Sequence, residues 1–272
     1  MATLRRKRSP DGRMSLGDHL RELRRRFVIA AAAIVVGSVV GWVEYDRLFN
    51  AIMAPLRKLA AERGGLRGGL VNINFGGITQ PFTVQLQVAL FVGVILASPV
   101  WLYQVWGFIV PGLTKREKRT AMAFVGAAAP LFLAGCFLAT RVVPNAVEIL
   151  IGFTPKGAAN LPDAALYLTF VTRFILAFGL AFLLPVFLVG LNVAHILPAR
   201  VMIKGWRVAV LLIFVFAAMM TPTPDAWTML VLALPMVGLF YAAVGVSMLL
   251  DRRRARREPE WLKVPDDEAS PL

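Results

Sequence analysis

The chain has 272 residues, 58% of them hydrophobic, with a mean hydropathy of +0.67 and a net charge of +14. Soluble domains are ordinarily about half apolar at most, so this composition excludes an ordinary soluble protein. The apolar residues fall in long runs, and runs of about 20 residues cross a bilayer as helices because the backbone pairs internally there. We therefore expect an all-α polytopic membrane protein.

The placement of charge and the cysteine content exclude further classes. Basic residues stand at the ends of apolar runs and form no separate polar domain, which argues against nucleic-acid binding. The single cysteine, Cys136, excludes an intrachain disulfide, and His19 and His195 leave no zinc-site spacing. We expect no metal and no cofactor.

The first part of the chain predicts two membrane spans. Residues 1–26 are polar and basic, with a helix expected from Met14, and the first span covers about residues 27–43. Residues 44–79 are predicted to form a long polar loop with a glycine-rich middle. The second span covers about residues 83–109.

The middle of the chain predicts two further spans. A short charged loop is expected at residues 114–119, a span at about 121–140, and a second loop at 141–164. The fourth span covers about residues 166–193, and a short basic connection follows at 196–207. Both apolar runs are long enough to cross the bilayer as helices.

The fifth apolar run is short. Residues 208–220 number thirteen, which as a helix measure only about 20 Å against a hydrocarbon core of about 30 Å. Either the membrane thins there or this run forms a re-entrant hairpin with the last span, at about residues 227–250. Prolines should bend or end the helices and give a curved wall; they stand at positions 99, 111, 130, 144, 185, 198 and 235.

The distribution of Lys and Arg predicts the orientation of these six transmembrane helices. The side that holds both termini carries 22 of these residues and the other side seven. Since positively charged loops stay in the cytoplasm, both termini are predicted to be cytoplasmic. The expected division is a basic N-terminal segment (1–26), a transmembrane domain (27–250) and a charged cytoplasmic tail (251–272).

Two acidic residues stand within the basic cytoplasmic segments. One interpretation pairs Glu22 with Arg25 or Arg26 on its own helix, which contributes only about 0.2–0.5 kcal/mol. The other has Glu22 and Glu117 bind a ligand guanidinium, with which carboxylates form bidentate bonds that lysine cannot reproduce. The residues alone favour the first interpretation. Because no phosphate-binding loop, dinucleotide fingerprint or catalytic triad is present in the sequence, we expect no enzyme.

Six short motifs follow one another across about residues 14–250. They are His19–Arg26; Ala54-Pro55-Leu56; Ser98-Pro99 with Leu102–Ile109 and Pro111; Lys115–Arg119; Phe178-Gly179 with Phe182 and Pro185; and Thr221-Pro222 with Pro224-Asp225. In this order they resemble the TatC family, the signal-recognising core of the twin-arginine protein translocase. Each motif alone is modest, and their common order makes the resemblance specific.

The resemblance implies a receptor for twin-arginine signal peptides, in which Glu22 and Glu117 recognise the arginine pair. Arg24 matches a family position that is sensitive to substitution, and His19 and Lys115 are placed with it in the implied peptide site. Four further positions are implied to serve structure or partner contacts: Pro55, Gln104, Thr221 and Asp225.

The resemblance also implies partners and an energy source. The partners would be single-span TatA- and TatB-type proteins, docking along the fifth and sixth spans, together with membrane lipids. Folded proteins would cross the bacterial inner membrane at the expense of the proton-motive force.

Two positions depart from the family pattern. Where TatC proteins often carry a glutamate in the fourth span the chain has Leu183, and an acid of the last span is replaced near Tyr241. An acid inside the membrane is a functional candidate by default, so that role is removed here. Either this face is drier, or polar residues substitute for the acids: Gln85, Gln87, Thr169, Thr172 and Asn192.

Two other functions compete with the translocase. A secondary transporter for a small solute would carry buried ionisable residues near the bilayer midplane, and the middles of the spans contain none. A membrane subunit that holds haem would need paired intramembrane histidines, and only His195 comes near a span. The transporter stays as the alternative.

Overall fold

The computed structural model describes residues 16–62, 75–109, 115–152, 163–194, 196–220 and 226–256. These residues are almost entirely helical, so the predicted all-α class is confirmed. In chain order the helices are α1 (Leu16–Val43), α2 (Tyr45–Glu62), α3 (Gln80–Leu96), α4 (Ser98–Ile109), α5 (Lys115–Gly152), α6 (Ala164–Val193), α7 (Ala199–Lys204), α8 (Trp206–Met220) and α9 (Ala226–Ala255).

The basic N-terminal segment and the first span are one helix. α1 runs without a break from Leu16 to Val43, so the charged turns between Asp18 and Arg26 continue the apolar span. The direction in which the charged side chains point is therefore set by the packing of the span itself.

The loop predicted for residues 44–79 is wrong over its first half, which forms the amphipathic helix α2. Apolar residues recur there at helical spacing, and Met53 and Leu56 are fully buried. The Tyr167 hydroxyl on α6 donates to the Ile52 carbonyl oxygen at 3.0 Å, which joins α2 to α6. The segment is polar on average, and this hides the helical spacing of its apolar residues.

The second span is broken into α3 and α4, whose axes differ by 63°. Pro99, at the second position of α4, has no backbone N–H to continue the helical hydrogen bonds, which confirms the bend predicted there. Four other prolines do not end their helices: α5 continues through Pro130 and Pro144, α6 through Pro185 and α9 through Pro235. Pro198 directly precedes α7, and Pro111 lies outside the described residues.

The loops predicted at 114–119 and 141–164 are wrong where α5 occupies them, from Lys115 to Gly152. The charged residues at both ends of this helix led to the loop prediction. Lys, Arg and Glu are nevertheless good helix formers, so a helix can extend beyond its apolar section without a break in the backbone pattern.

Among the described helices, four are long and apolar enough to cross a membrane, over Gly17–Val43, Met122–Ile149, Ala164–Val193 and Met229–Ala255. The bent α3–α4 pair is a further candidate. α8 is apolar but has only 15 residues, which as a helix span about 22 Å. These segments match the six predicted spans, including the short fifth one.

Close contacts divide the chain into two units. Within the first unit, α1 packs tightly on α3 through small residues. Gly37 lies against the backbone of Gly93, and a Cβ at Gly41 would lie 2.8 Å from the Ala89 Cα. A Cβ at Gly93 would overlap the Ser38 hydroxyl. Small residues let helices approach closely in lipid, where packing replaces the hydrophobic effect as the driving force. The first unit comprises residues 1–130 and 161–172, and the second 131–160 and 173–272.

The second unit uses the same device between α5 and α6. A Cβ at Gly135 would lie 2.6 Å from the Phe178 carbonyl oxygen, and one at Gly179 would lie 2.7 Å from the Phe132 ring. Phe132 and Phe178 are fully buried. The Phe182 side chain occupies the space beside Gly135, and the Phe132 ring occupies the space beside Gly179.

Replacing Gly93 by alanine should destabilise the first unit, because the new methyl group would overlap α1. We expect a cost of about 1–3 kcal/mol, measured as a lower midpoint of thermal unfolding in detergent. Gly126→Ala is the matched control, since a Cβ there meets nothing within 4 Å. Equal effects of the two substitutions would contradict the close packing of α1 on α3.

Candidate functional site

Glu22 lies on the charged extension of α1 and already holds a guanidinium. The Arg26 Nε donates to the Glu22 Oε1 at 2.7 Å, one helical turn further on. The Arg26 side chain is 18% exposed and that of Glu22 33% exposed. Of the two intrahelical pairings considered for Glu22, the structure therefore selects Arg26. The carboxylate stays open to solvent over part of its surface.

Arg26 is held in place by α4. Its guanidinium lies over Gly107, and a Cβ at Gly107 would overlap the guanidinium. Any residue other than glycine at position 107 would displace the arginine side chain. The contact of Arg26 with α4 thus depends on the absence of a side chain at position 107, which the sequence motifs did not predict.

His19 completes this contact between α1 and α4. Its ring stacks on Phe108 with a centroid distance of 4.5 Å and an interplanar angle of 27°. His19, Glu22 and Arg26 follow at intervals of three and four residues, which puts them on one face of α1. We refer to His19, Glu22, Arg26, Gly107 and Phe108 as the α1–α4 site.

The remaining residues predicted for the peptide site are placed only in part. Arg24 is exposed on α1, and the structure shows no hydrogen bond or ion pair between it and the described residues of the α1–α4 site. Glu117 and Lys115 lie in the first turns of α5, and their side chains are outside the described residues. The meeting of Glu22 with Glu117 stays a prediction.

The four positions predicted for structure or partners also differ in what is described. Pro55 lies inside α2 and is half-buried, and Gln104 is half-buried on α4. Thr221 and Asp225 lie outside the described residues.

The exposed charge around Glu22 is positive. Arg21, Arg24 and Arg25 are exposed within one turn of it, and Asp18 lies 3.7 Å from Arg21 at the start of the helix. Such surface pairs are screened by water and contribute little to stability. Glu22 is therefore a carboxylate in a basic surface, where its own charge is balanced by Arg26.

Three of the five polar residues proposed to replace the missing acids form one cluster. The Gln87 Nε2 donates to the Thr172 Oγ1 at 2.8 Å, and the Thr169 Oγ1 donates to the Gln87 Oε1 at 3.1 Å. These bonds join α3 to α6 in the first unit. Leu183 itself is buried and apolar, so no polar group takes its position.

Asn192 serves a different purpose in the second unit. Its Nδ2 donates to the Asp251 carboxylate at 3.0 Å, and the Ala199 backbone N–H donates to the same carboxylate at 3.0 Å. Arg254 donates to the Asn192 carbonyl oxygen at 3.0 Å. This cluster fixes the end of α9 against the end of α6 and the start of α7. Asp251 is the first residue of the predicted tail, and the sequence does not predict its part in this cluster.

Asp163 caps α6 and joins it to α3, another role that the sequence did not reveal. Its Oδ1 accepts the backbone N–H of Leu166 at 3.0 Å and of Ala165 at 2.8 Å, and Gln80 donates to its Oδ2 at 3.3 Å. The bond from Leu166 is the main cause that lowers the pKa of this carboxyl. Because the pKa is lowered, the cap is present at neutral pH and is lost only as the pH falls through the lowered value.

Family comparison supplies the context for these contacts. The chain matches the family model described as Sec-independent protein translocase protein (TatC) over residues 18–235. A protein of that name from Xylanimonas cellulosilytica is 48% identical over 245 residues, covering 90% of this chain and 87% of that protein. One from Rothia mucilaginosa is 37% identical over 266 residues, covering 97% and 89%.

Solved structures agree with the sequence comparison. A crystal structure of the twin arginine translocase receptor TatC in DDM is similar to this fold with a TM-score of 0.71 and 29% identity, covering 84% of this chain and 99% of that one. A second crystal structure of the same receptor gives a TM-score of 0.69 and 31% identity, covering 85% and 98%. The chain therefore belongs to the TatC family of multispanning Sec-independent protein translocase proteins.

Proposed function

We propose that this chain is the receptor subunit of a twin-arginine translocase and binds the arginine pair of signal peptides through Glu22 and Glu117. The observation that carries the proposal is the Glu22 carboxylate, which bonds a guanidinium at 2.7 Å and stays 33% exposed. A group that binds one guanidinium in this position has the chemistry to bind another. Family membership favours this interpretation over a purely structural ion pair.

The chain path supports a second acid near the first. α4 ends at Ile109 and α5 begins at Lys115, so six peptide steps separate them and span at most about 20 Å. Trp106 stacks on Phe124 with centroids 4.1 Å apart, which packs α5 on α4 next to Gly107 and Phe108. This packing supports a position for the first turn of α5, with Glu117, within reach of the α1–α4 site.

The other predicted residues take supporting roles in this proposal. Arg24 and Lys115 provide positive charge that repels unspecific cationic peptides and binds anionic headgroups. His19 supports the site through its stacking on Phe108. Pro55 and Gln104 shape the unit, and Thr221 and Asp225 belong to the region where TatA- and TatB-type proteins would dock. Transport of folded cargo would use the proton-motive force. We assign the chain to transport and to no enzyme class.

Both termini are proposed to lie in the cytoplasm of a bacterial cell, because 22 of the 30 Lys and Arg residues stand on their side of the membrane. The test is the labelling of single cysteines by a thiol reagent that does not cross membranes, in a Cys136→Ala background. A cysteine at Ser9 or Ser270 should react only after the membrane is opened, whereas one at Gly77 should react in intact cells. The reverse pattern would contradict the orientation.

The peptide proposal is tested by the affinity of the purified protein for a labelled twin-arginine signal peptide and its twin-lysine variant. We expect Glu22→Gln and Glu117→Gln each to weaken twin-arginine binding about 10- to 100-fold, since a charge-assisted hydrogen bond contributes about 1.5–3 kcal/mol. The preference over the lysine peptide should shrink with it.

Glu44→Gln is the matched control for these variants. Glu44 is an exposed acid at the opposite end of α1, 3.9 Å from Arg47, and its loss should leave peptide affinity unchanged. Peptide affinity that is unaffected by both Glu22→Gln and Glu117→Gln would overturn the proposed function.

A further inference from the structure

Arg26 presents to Glu22 the same chemical group that the proposed ligand would bring. Its guanidinium bonds the carboxylate through Nε, and Glu22 bonds it through Oε1 alone in the part of the chain that the structure describes. The pair is therefore a single-bond contact, whereas a free arginine side chain can bond a carboxylate with two parallel N–H groups.

The local charge makes a simple addition of a ligand unfavourable. Arg26 balances the negative charge of Glu22, and Arg21, Arg24 and Arg25 add exposed positive charge within one turn. A further guanidinium that approached the intact pair would meet a net positive surface. Displacing Arg26 from the carboxylate lessens this difficulty, because Glu22 remains paired with one guanidinium and the displaced Arg26 can carry its charge away from the site.

We propose that Arg26 is an internal competitor for the Glu22 carboxylate, and that a signal-peptide arginine binds by displacing it. This inference rests on the proposed function of Glu22. Gly107 is the second component, because its missing side chain lets the Arg26 guanidinium lie against α4 and keeps it within reach of Glu22. A displaced Arg26 can extend its charge to headgroup phosphates, as arginines at membrane surfaces do.

The competitor sets the strength of binding. A ligand that requires the vacated carboxylate binds with an affinity reduced by the fraction of receptors in which Arg26 has already released Glu22. A lowered affinity for the signal peptide is useful in a receptor that must release its cargo. It also favours ligands that bond the Glu22 carboxylate well over ligands that bond it poorly. Arg26 is thus a specificity-determining residue, and it does not itself contact the peptide.

Two substitutions remove the competitor by different routes. Arg26→Gln deletes the guanidinium, and Gly107→Ala displaces it while the net charge stays the same. Each should tighten binding of a labelled twin-arginine signal peptide by about five-fold, measured by fluorescence anisotropy on the purified full chain in detergent. Because the two variants share only the loss of the Glu22–Arg26 contact, agreement between them identifies that contact as the cause.

The controls separate this effect from bulk charge and from helix stabilisation. Arg25→Gln removes the same charge from an exposed neighbouring position, and Gly126→Ala adds the same methyl group in open space. Both should leave the affinity within about two-fold of the wild type. In a Glu22→Gln background, Arg26→Gln should produce no gain.

Each other outcome contradicts the inference in a recognisable way. Equal or weaker binding by both Arg26→Gln and Gly107→Ala, with unchanged unfolding midpoints, would show that Arg26 positions Glu22 and does not compete for it. A gain that persists in the Glu22→Gln background would show that only charge matters. A wild-type protein with no preference for arginine over lysine would overturn the proposed function itself, and the competitor with it.

Discussion

The close packing of α1 on α3 and α4 is the constraint on which the candidate site depends. Glycines on both helices bring the backbones of α1 and α3 together, and the 63° break before α4 turns the second half of the span toward the charged end of α1. Since α1 is continuous, its span determines which side chains face α4 at that end. His19 meets Phe108 and Arg26 meets Gly107 as a consequence of packing elsewhere in the helix.

These contacts matter because little of α1 is buried against the rest of the protein. Only 6% of the most apolar 18-residue stretch of α1 is buried within the protein. Most of the apolar side chains of this helix therefore face outward. In lipid such a helix is positioned by close backbone contacts and by polar bonds at its ends, because exposed apolar surface costs nothing there. The Arg26 guanidinium beside Gly107 and the His19 ring on Phe108 provide those end contacts on α4. The charged end is therefore both the anchor of α1 and the candidate binding surface.

The sequence predicted the spans well and their extensions poorly. Apolar length alone predicted the four long apolar helices, the bent α3–α4 pair and the short helix α8, and Pro99 correctly predicted the bend between α3 and α4. The sequence did not reveal α2, which is polar on average although it buries a stripe of apolar residues that includes Met53. It also did not reveal that α5 continues into its charged ends. For the site, helical spacing predicted the Glu22–Arg26 pair as one of two alternatives. The role of Gly107 could not be predicted, because it depends on which helix lies opposite a missing side chain.

The central claim is that the charged end of α1 and the adjoining end of α4 form the peptide-binding surface. The most direct test is a twin-arginine signal peptide with a photoreactive residue next to its arginine pair, cross-linked to the purified protein and mapped by mass spectrometry. We predict adducts within Leu16–Phe27 of α1 and Trp106–Ile109 of α4, which excess unlabelled peptide removes. Adducts confined to α8 and α9, with none on α1 or α4, would contradict the account.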